Sequence, residues 1–185
     1  KQVLADCVNP ELIEPHGIVG HGDCWVNNFM YHYKKGDLPD EIVLIDWQIS
    51  RYCSPVVDLT YFIFACTDRQ MRQKHYDELL RIYHGSLKEL LDHLGGDTVS
   101  QFPFKALLRH MKKFAKFGII MSTFIIPMLQ TKKEDIPDME FLAENINTDD
   151  PAIIAAYMEK MSQQADVVGI RMRDLIQDTI LYGYL

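Results

Sequence analysis

Apolar positions follow two patterns along this chain, and the change falls near residue 55. Before it, short extended runs are separated by turn chemistry. Ile18 and Val19 begin one run. Phe29–Tyr33 (FMYHY) is a second, rich in the aromatic side chains that suit a pleated surface. Lys34–Asp40 (KKGDLPD) carries Gly, Asp and Pro and reads as a turn. Glu41–Trp47 (EIVLIDW) is a third run with β-branched residues. So short a connection makes the last two runs an antiparallel hairpin. Residues 1–16 are mixed, end in Pro15-His16, and read as a loop leading into the first strand.

After residue 55 the period becomes helical. Val56–Ala65 (VVDLTYFIFA) is nearly all apolar and predicts a buried helix. Asp68 is placed to cap a long amphipathic helix on which Tyr76, Leu79, Leu80, Ile82, Tyr83, Leu87, Leu90 and Leu91 recur at helical spacing. Gly95-Gly96 ends it. A third helix is expected from about Phe104 to Leu129. Its apolar part, Phe117–Leu129, is too short to span a bilayer and is broken by Pro127, so it reads as a buried helix. Glu134–Asp138 reads as a loop, residues 139–146 and 151–163 as short helices, and residues 166–183 as a final helix. The expected fold class is α+β and mainly α-helical, a small antiparallel β-hairpin followed by a helical body.

Composition narrows the function classes. A chain of 185 residues with 48% hydrophobic and 24% charged residues can bury the core of one globular domain. No repeat or low-complexity tract appears. A net charge of −7 and an isoelectric point near 5.4 argue against nucleic acid or an anionic membrane as the main partner. Lys112, Lys113 and Lys116 read as a solvated helix face. Cys7, Cys24, Cys53 and Cys66 form no CxxC pair and no metal-finger spacing, so they read as reduced thiols of a cytoplasmic protein.

The candidate chemistry lies in HGDCWVNN (21–28) and LIDW (44–47). Asp23 lies in the loop that feeds the first hairpin strand, Asn28 begins that strand, and Asp46 is the penultimate residue of the second. In an antiparallel pair the start of one strand neighbours the end of the other, so two carboxylates and a carboxamide are expected to converge. Such oxygen ligands suit a hard divalent cation, above all Mg²⁺, which takes one or two carboxylates and leaves the rest of its shell to substrate phosphates. Asn28 and Asp46 fit that role, and Asp23 is then free to accept a proton from an attacking hydroxyl.

His-x-Asp-x4-Asn followed by an Asp after an apolar strand is also the catalytic pattern of protein kinases. Two features differ. Gly22 stands where protein kinases usually carry an Arg, and Asp46 is followed by Trp47-Gln48 instead of Phe-Gly. No segment resembles an activation loop ending in Ala-Pro-Glu. The pattern therefore points to a small-molecule acceptor.

HGDCWVNN followed by LIDWQISRYCSPVVDLTYFIF resembles the ecdysteroid kinase-like (CHK kinase-like) family, related to choline kinases and aminoglycoside phosphotransferases within the protein kinase-like fold. The resemblance is close over about residues 17–90. It implies Asp23 as catalytic base and Asn28 and Asp46 as Mg²⁺ ligands. His21 becomes a structural support of the loop, and Asp58 an acid that anchors the loop through backbone N–H groups, with an exposed helix N-cap as its plainer role. Met30 and Ile45 become the apolar floor beneath the adenine of ATP. Tyr61, Phe64, Met111, Met121 and Met128 read as core, and Trp25 and Trp47 as either packing or substrate-facing.

The resemblance also implies the C-terminal lobe of the kinase-like fold over residues 1–185, with the catalytic loop, hairpin and metal segment in 17–60 and a helical substrate-side body in 61–185. Sixteen residues precede the first strand. They are too few for a five-stranded N-lobe and hold no Gly-rich loop, and the first residue is Lys1. The N-lobe is therefore expected to be absent from this chain and the chain to be a fragment. The expected function is an ATP- and Mg²⁺-dependent kinase lobe that phosphorylates a hydroxyl of a small, steroid-like molecule. The alternatives are a non-catalytic kinase-like binding module, an inactive fragment, or a metal-dependent hydrolase.

Overall fold

The computed structural model describes residues 2–130 and 165–185. Two short helical turns, α1 (Gln2–Asp6) and α2 (Pro10–Ile13), occupy the stretch that the sequence pattern marks as loop. Local chemistry explains α2. The Asn9 side chain accepts from the Glu11 N–H, and Pro10 stands in the first turn, where its missing N–H costs nothing. Ile13 is fully buried and fastens this turn to the body.

Four strands follow in two separate ribbons. β1 (Ile18–Gly20) pairs antiparallel with β4 (Arg51–Cys53), with Val19 opposite Tyr52. β2 (Phe29–His32) pairs antiparallel with β3 (Glu41–Leu44), with Phe29 opposite Leu44 and His32 opposite Glu41. The second ribbon is the expected hairpin. The first was not legible, because β4 is only three residues long and has no alternation to read. β3 also stops at Leu44, short of the expected Trp47. Asp46 takes a left-handed backbone with φ of 65°, which an extended strand cannot contain.

The rest is helical. α3 (Val56–Cys66) is apolar all round and buried on most sides. α4 (Arg69–His93) starts at Asp68, whose carboxylate accepts from the Met71 N–H at 2.7 Å. Gly95, at φ of 78°, follows its end. α5 (Thr98–Gln101) is a short helix capped by Asp97. The single helix expected over 104–129 is two helices, α6 (Phe104–Phe114) and α7 (Lys116–Gln130), broken at Ala115. α7 runs through Pro127 without ending there, because Ile125, Ile126 and Pro127 are all buried against the body. α8 (Ala165–Leu181) closes the described chain. The loop expected at 134–138 and the helices expected at 139–146 and 151–163 lie outside the described residues.

The core gathers α3, α4, α6, α7 and α8 around Tyr61, Phe64, Leu80, Leu107, Met111 and Leu175. Met121 and Met128 pack on its edge. α3 and α7 approach closely at Gly118, where an added Cβ would sit 2.5 Å from the Thr60 backbone. α8 is tied down by Asp178, fully buried, which accepts from Arg72 Nε of α4 at 2.9 Å. The fold is mainly helical with two small antiparallel sheets, consistent with the α+β reading. None of the four cysteines is bonded to another. Among the described residues no helix is long and apolar enough to cross a membrane.

Candidate functional site

The site is built where the two ribbons meet. β1 delivers the chain to His21 and β4 receives it after Ser50, so the 21–28 and 46–50 segments are held side by side. At the open end of the hairpin the Ile45 N–H donates to the Asn28 carbonyl at 3.0 Å. Asp46 is therefore the residue directly after the partner of Asn28.

Each loop residue has an identifiable anchor. The Asp58 carboxylate, in the first turn of α3, accepts the His21 N–H at 2.6 Å on one oxygen and the Gly22 N–H at 2.9 Å on the other. Gly20 permits this approach, since an added Cβ would lie 2.8 Å from that carboxylate and 2.5 Å from Cys53 Sγ. Gly22 has φ of 85°, and a Cβ there would meet the Ile49 carbonyl at 2.5 Å. An Arg at this position is excluded by the backbone itself.

His21 is 2% exposed and hydrogen-bonds on both ring nitrogens. Its Nδ1 accepts from the Asp23 N–H at 3.3 Å, which leaves the proton on Nε2 to be donated to the Ile45 carbonyl at 2.8 Å. The ring also stands 4.6 Å from that of Trp47. His21 thus ties the 21–23 loop to the residue before Asp46.

Asp23 is half-buried and satisfied on both carboxylate oxygens. Oδ2 accepts from Asn28 Nδ2 at 2.9 Å, and Oδ1 accepts from the Tyr61 hydroxyl at 2.9 Å. The Asn28 amide also donates to the Asp23 carbonyl at 2.9 Å. Both amide hydrogens of Asn28 are therefore spent on Asp23, and its Oδ1 takes no hydrogen bond among the described residues. The Asp46 side chain is exposed and makes no hydrogen bond or ion pair among the described residues. Two oxygen-bearing groups with free acceptor capacity, on residues next to one another in the chain pairing at the end of the hairpin, are of the kind that suit a hard cation. Among the described residues no three His, Cys, Asp or Glu side chains cluster as metal ligands. A metal here needs the Asn28 carboxamide and ligands from elsewhere, a requirement Mg²⁺ meets with water and phosphate oxygens.

Tyr61 is the functional residue the sequence reading missed. It is core, as expected, with no exposed surface, yet its hydroxyl ends on Asp23. Burial, then the nearby Asp23 carboxylate, push this phenol well above the usual tyrosine range. A signal was present: Tyr61 stands one helical turn after Asp58, and both therefore face the same loop. Cys24 is similarly pushed up to about 12, by burial first and then by Asp58, Cys66 and Asp23. This thiol is held neutral.

Ile45 meets the site through its backbone, bonded to Asn28 and His21, and Met30 lies along the same ribbon. The hairpin register puts Met30 opposite Val43 and places Asn28, Met30, Val43 and Ile45 on one sheet face. Met30, Val43 and Ile45 are 59%, 49% and 38% exposed, an open apolar shelf. Phe29 and Leu44, on the other face, help to line a cleft of about 320 Å³ with Trp47, Phe62, His21 and Asp58. Trp25 packs on the core edge, and Trp47 is half exposed.

A bent loop is thus clamped from behind by an acid, with an Asp–Asn pair at the mouth of a hairpin. The ecdysteroid kinase-like family model matches residues 1–96, more than half of the chain, and the chain belongs to that family. No curated protein and no solved structure matches it.

Proposed function

We propose that this chain carries the catalytic half of an ATP- and Mg²⁺-dependent phosphotransferase that phosphorylates a hydroxyl of a small molecule. The kinase-like family supports the class. The observation that carries the reading is the Asp23–Asn28 pair, an acid clamped by an amide, with the Asn28 backbone bonded to Ile45, the residue before a second acid, Asp46.

Asp23 receives and orients the acceptor hydroxyl. The hydrogen bonds from Tyr61 and Asn28 fix the direction of its carboxylate. Asn28 Oδ1 and Asp46 would hold Mg²⁺, which when bound neutralises charge on the transferred phosphoryl group. Met30, Val43 and Ile45 provide an apolar shelf on the same sheet face as Asn28, suited to the flat adenine ring. Asp58 and His21 act through the backbone by holding the loop in shape. The residues that recognise the acceptor belong to the helical body, and a steroid-like ring system is the acceptor class that the family description suggests.

The test is phosphate transfer from ATP by the full-length protein to a panel of hydroxylated acceptors, with Asp23→Asn and Asp46→Asn as variants. A loss of at least about 100-fold in turnover is expected for each. Mg²⁺ titration should separate them, with Asp46→Asn alone raising the half-saturating metal concentration. Near wild-type turnover in both variants would refute the reading.

A further inference from the structure

A second cleft, of about 490 Å³, lies outside the Asp23 loop. Its walls are mainly apolar, with Pro55, Tyr83, Leu87, Leu91 and Phe102, and Ser100 and Gln101 add polar groups. The ring of His16 stands in this wall, at the end of a line of polar groups running in from the core. Ser54 Oγ, fully buried, is 2.7 Å from His110 Nδ1, and His110 Nε2 is 3.3 Å from His16 Nδ1. The His16 ring is held edge-on by Phe102 at 5.1 Å and by His110 at 5.2 Å.

The direction of this line follows from its buried end. Ser54 has no surface exposure, and His110 Nδ1 is the one side-chain partner of its hydroxyl among the described residues. A buried hydroxyl proton needs an acceptor, so Ser54 donates to His110 Nδ1. His110 then carries its proton on Nε2 and donates to His16 Nδ1. His16 in turn carries its proton on Nε2, which takes no partner among the described residues. Burial lowers the basicity of both rings, with Arg109 adding to it at each, so the line stays neutral near pH 7. The outcome is an N–H donor of fixed orientation in a mainly apolar wall.

We propose that this cleft is a second ligand site, which takes an uncharged apolar molecule through one hydrogen-bond acceptor that His16 Nε2–H recognises. The volume and the mainly apolar lining are those of a small-molecule pocket, and a few placed polar groups are how such pockets fix orientation. A ligand lacking the acceptor leaves the donor unpaired, and a cationic one loses its hydration shell with no carboxylate in the lining to replace it. The cleft shares Ile18, Pro55 and Tyr83 with the cleft that contains His21 and Asp58. Occupancy therefore presses on the back of the same β1–α3 junction that holds the loop. The site does not depend on the phosphotransferase reading.

The probes are 1-tetralone and tetralin, which share ring size and differ by one carbonyl oxygen. Their binding to the full protein is followed by NMR titration, including the ¹⁵N resonances of the His16 imidazole. 1-Tetralone should bind about fivefold more tightly than tetralin, the difference a single hydrogen bond makes. It should also shift the His16 Nε2 resonance. His16→Phe should remove that difference while leaving tetralin binding intact, and His16→Gln, which keeps a donor, should restore part of it. Leu87→Trp, which fills the cleft, should abolish both. Equal affinity for the two probes, no binding of either up to its solubility, or binding that survives Leu87→Trp would each overturn the proposal.

Discussion

Asp58→Asn replaces a carboxylate that accepts two backbone N–H groups by an amide that can accept only one. In the native site the His21 and Gly22 N–H groups reach its two oxygens at 2.6 and 2.9 Å. Asn keeps the shape but turns an NH₂ toward one of the two donors. One charge-assisted hydrogen bond is lost, worth roughly 1.5–3 kcal/mol, and the other is demoted to a neutral bond. The sum is about 3 kcal/mol. For a chain of this size that corresponds to a fall in melting temperature of about 6–12 °C. Urea unfolding and thermal melts measure the stability, and amide hydrogen exchange locates the damage. His21 and Gly22 should lose protection first, because their donors are the ones left unpaired. The loop also carries Asp23, so turnover should fall with Mg²⁺ affinity for the Asn28–Asp46 pair nearly unchanged. A variant within about 0.5 kcal/mol of the wild type, with both amides still protected, would show that the clamp is not what holds the loop.

Three further perturbations test other parts of the structure. Tyr61→Phe removes the hydrogen bond to Asp23 Oδ1; it should cost about 1 kcal/mol. It should also lower turnover about fivefold, because that bond orients the Asp23 carboxylate, and unchanged turnover would detach Tyr61 from the chemistry. Burial, then His16, Arg109 and Lys113, lower the His110 pKa from 6.5 to about 4. The unfolded chain therefore binds a proton before the native one does, and stability that is complete above pH 6.5 is lost as pH falls toward 4. The loss amounts to up to about 3 kcal/mol across that window. Urea titrations at a series of pH values should show a shallower slope in His110→Gln, and an unchanged slope would count against a buried neutral ring. Arg72→Met takes from the buried Asp178 carboxylate its hydrogen-bonded partner, leaving it only Arg69 at 3.4 Å among the described residues, and should destabilise by about 3 kcal/mol. Adding Asp178→Leu should recover much of that loss, and a double variant no more stable than Arg72→Met would refute the ion-pair account.

Much of this protein is fixed by local sequence. The hairpin, the Asp68-capped helix and its end at Gly95 all lie close to where the pattern puts them, because period, caps and turn residues act over a few positions. The ordering of Asp23, Asn28 and Asp46 along that hairpin is equally a property of the chain, and it alone makes Asn28 and Asp46 neighbours. What the sequence could not supply is anything that depends on distant segments meeting. β4 exists only because β1 lies beside it. The break at Ala115 and the continuation of α7 through Pro127 are settled by what packs on either side. The clamp of Asp58 on His21 and Gly22, the reach of Tyr61 to Asp23, and the Ser54–His110–His16 line join residues from 36 to 94 positions apart. A side chain's preference for helix or strand is written in its own bonds and those of its neighbours. Its hydrogen-bond partner is chosen by the tertiary packing that buries it and denies it water.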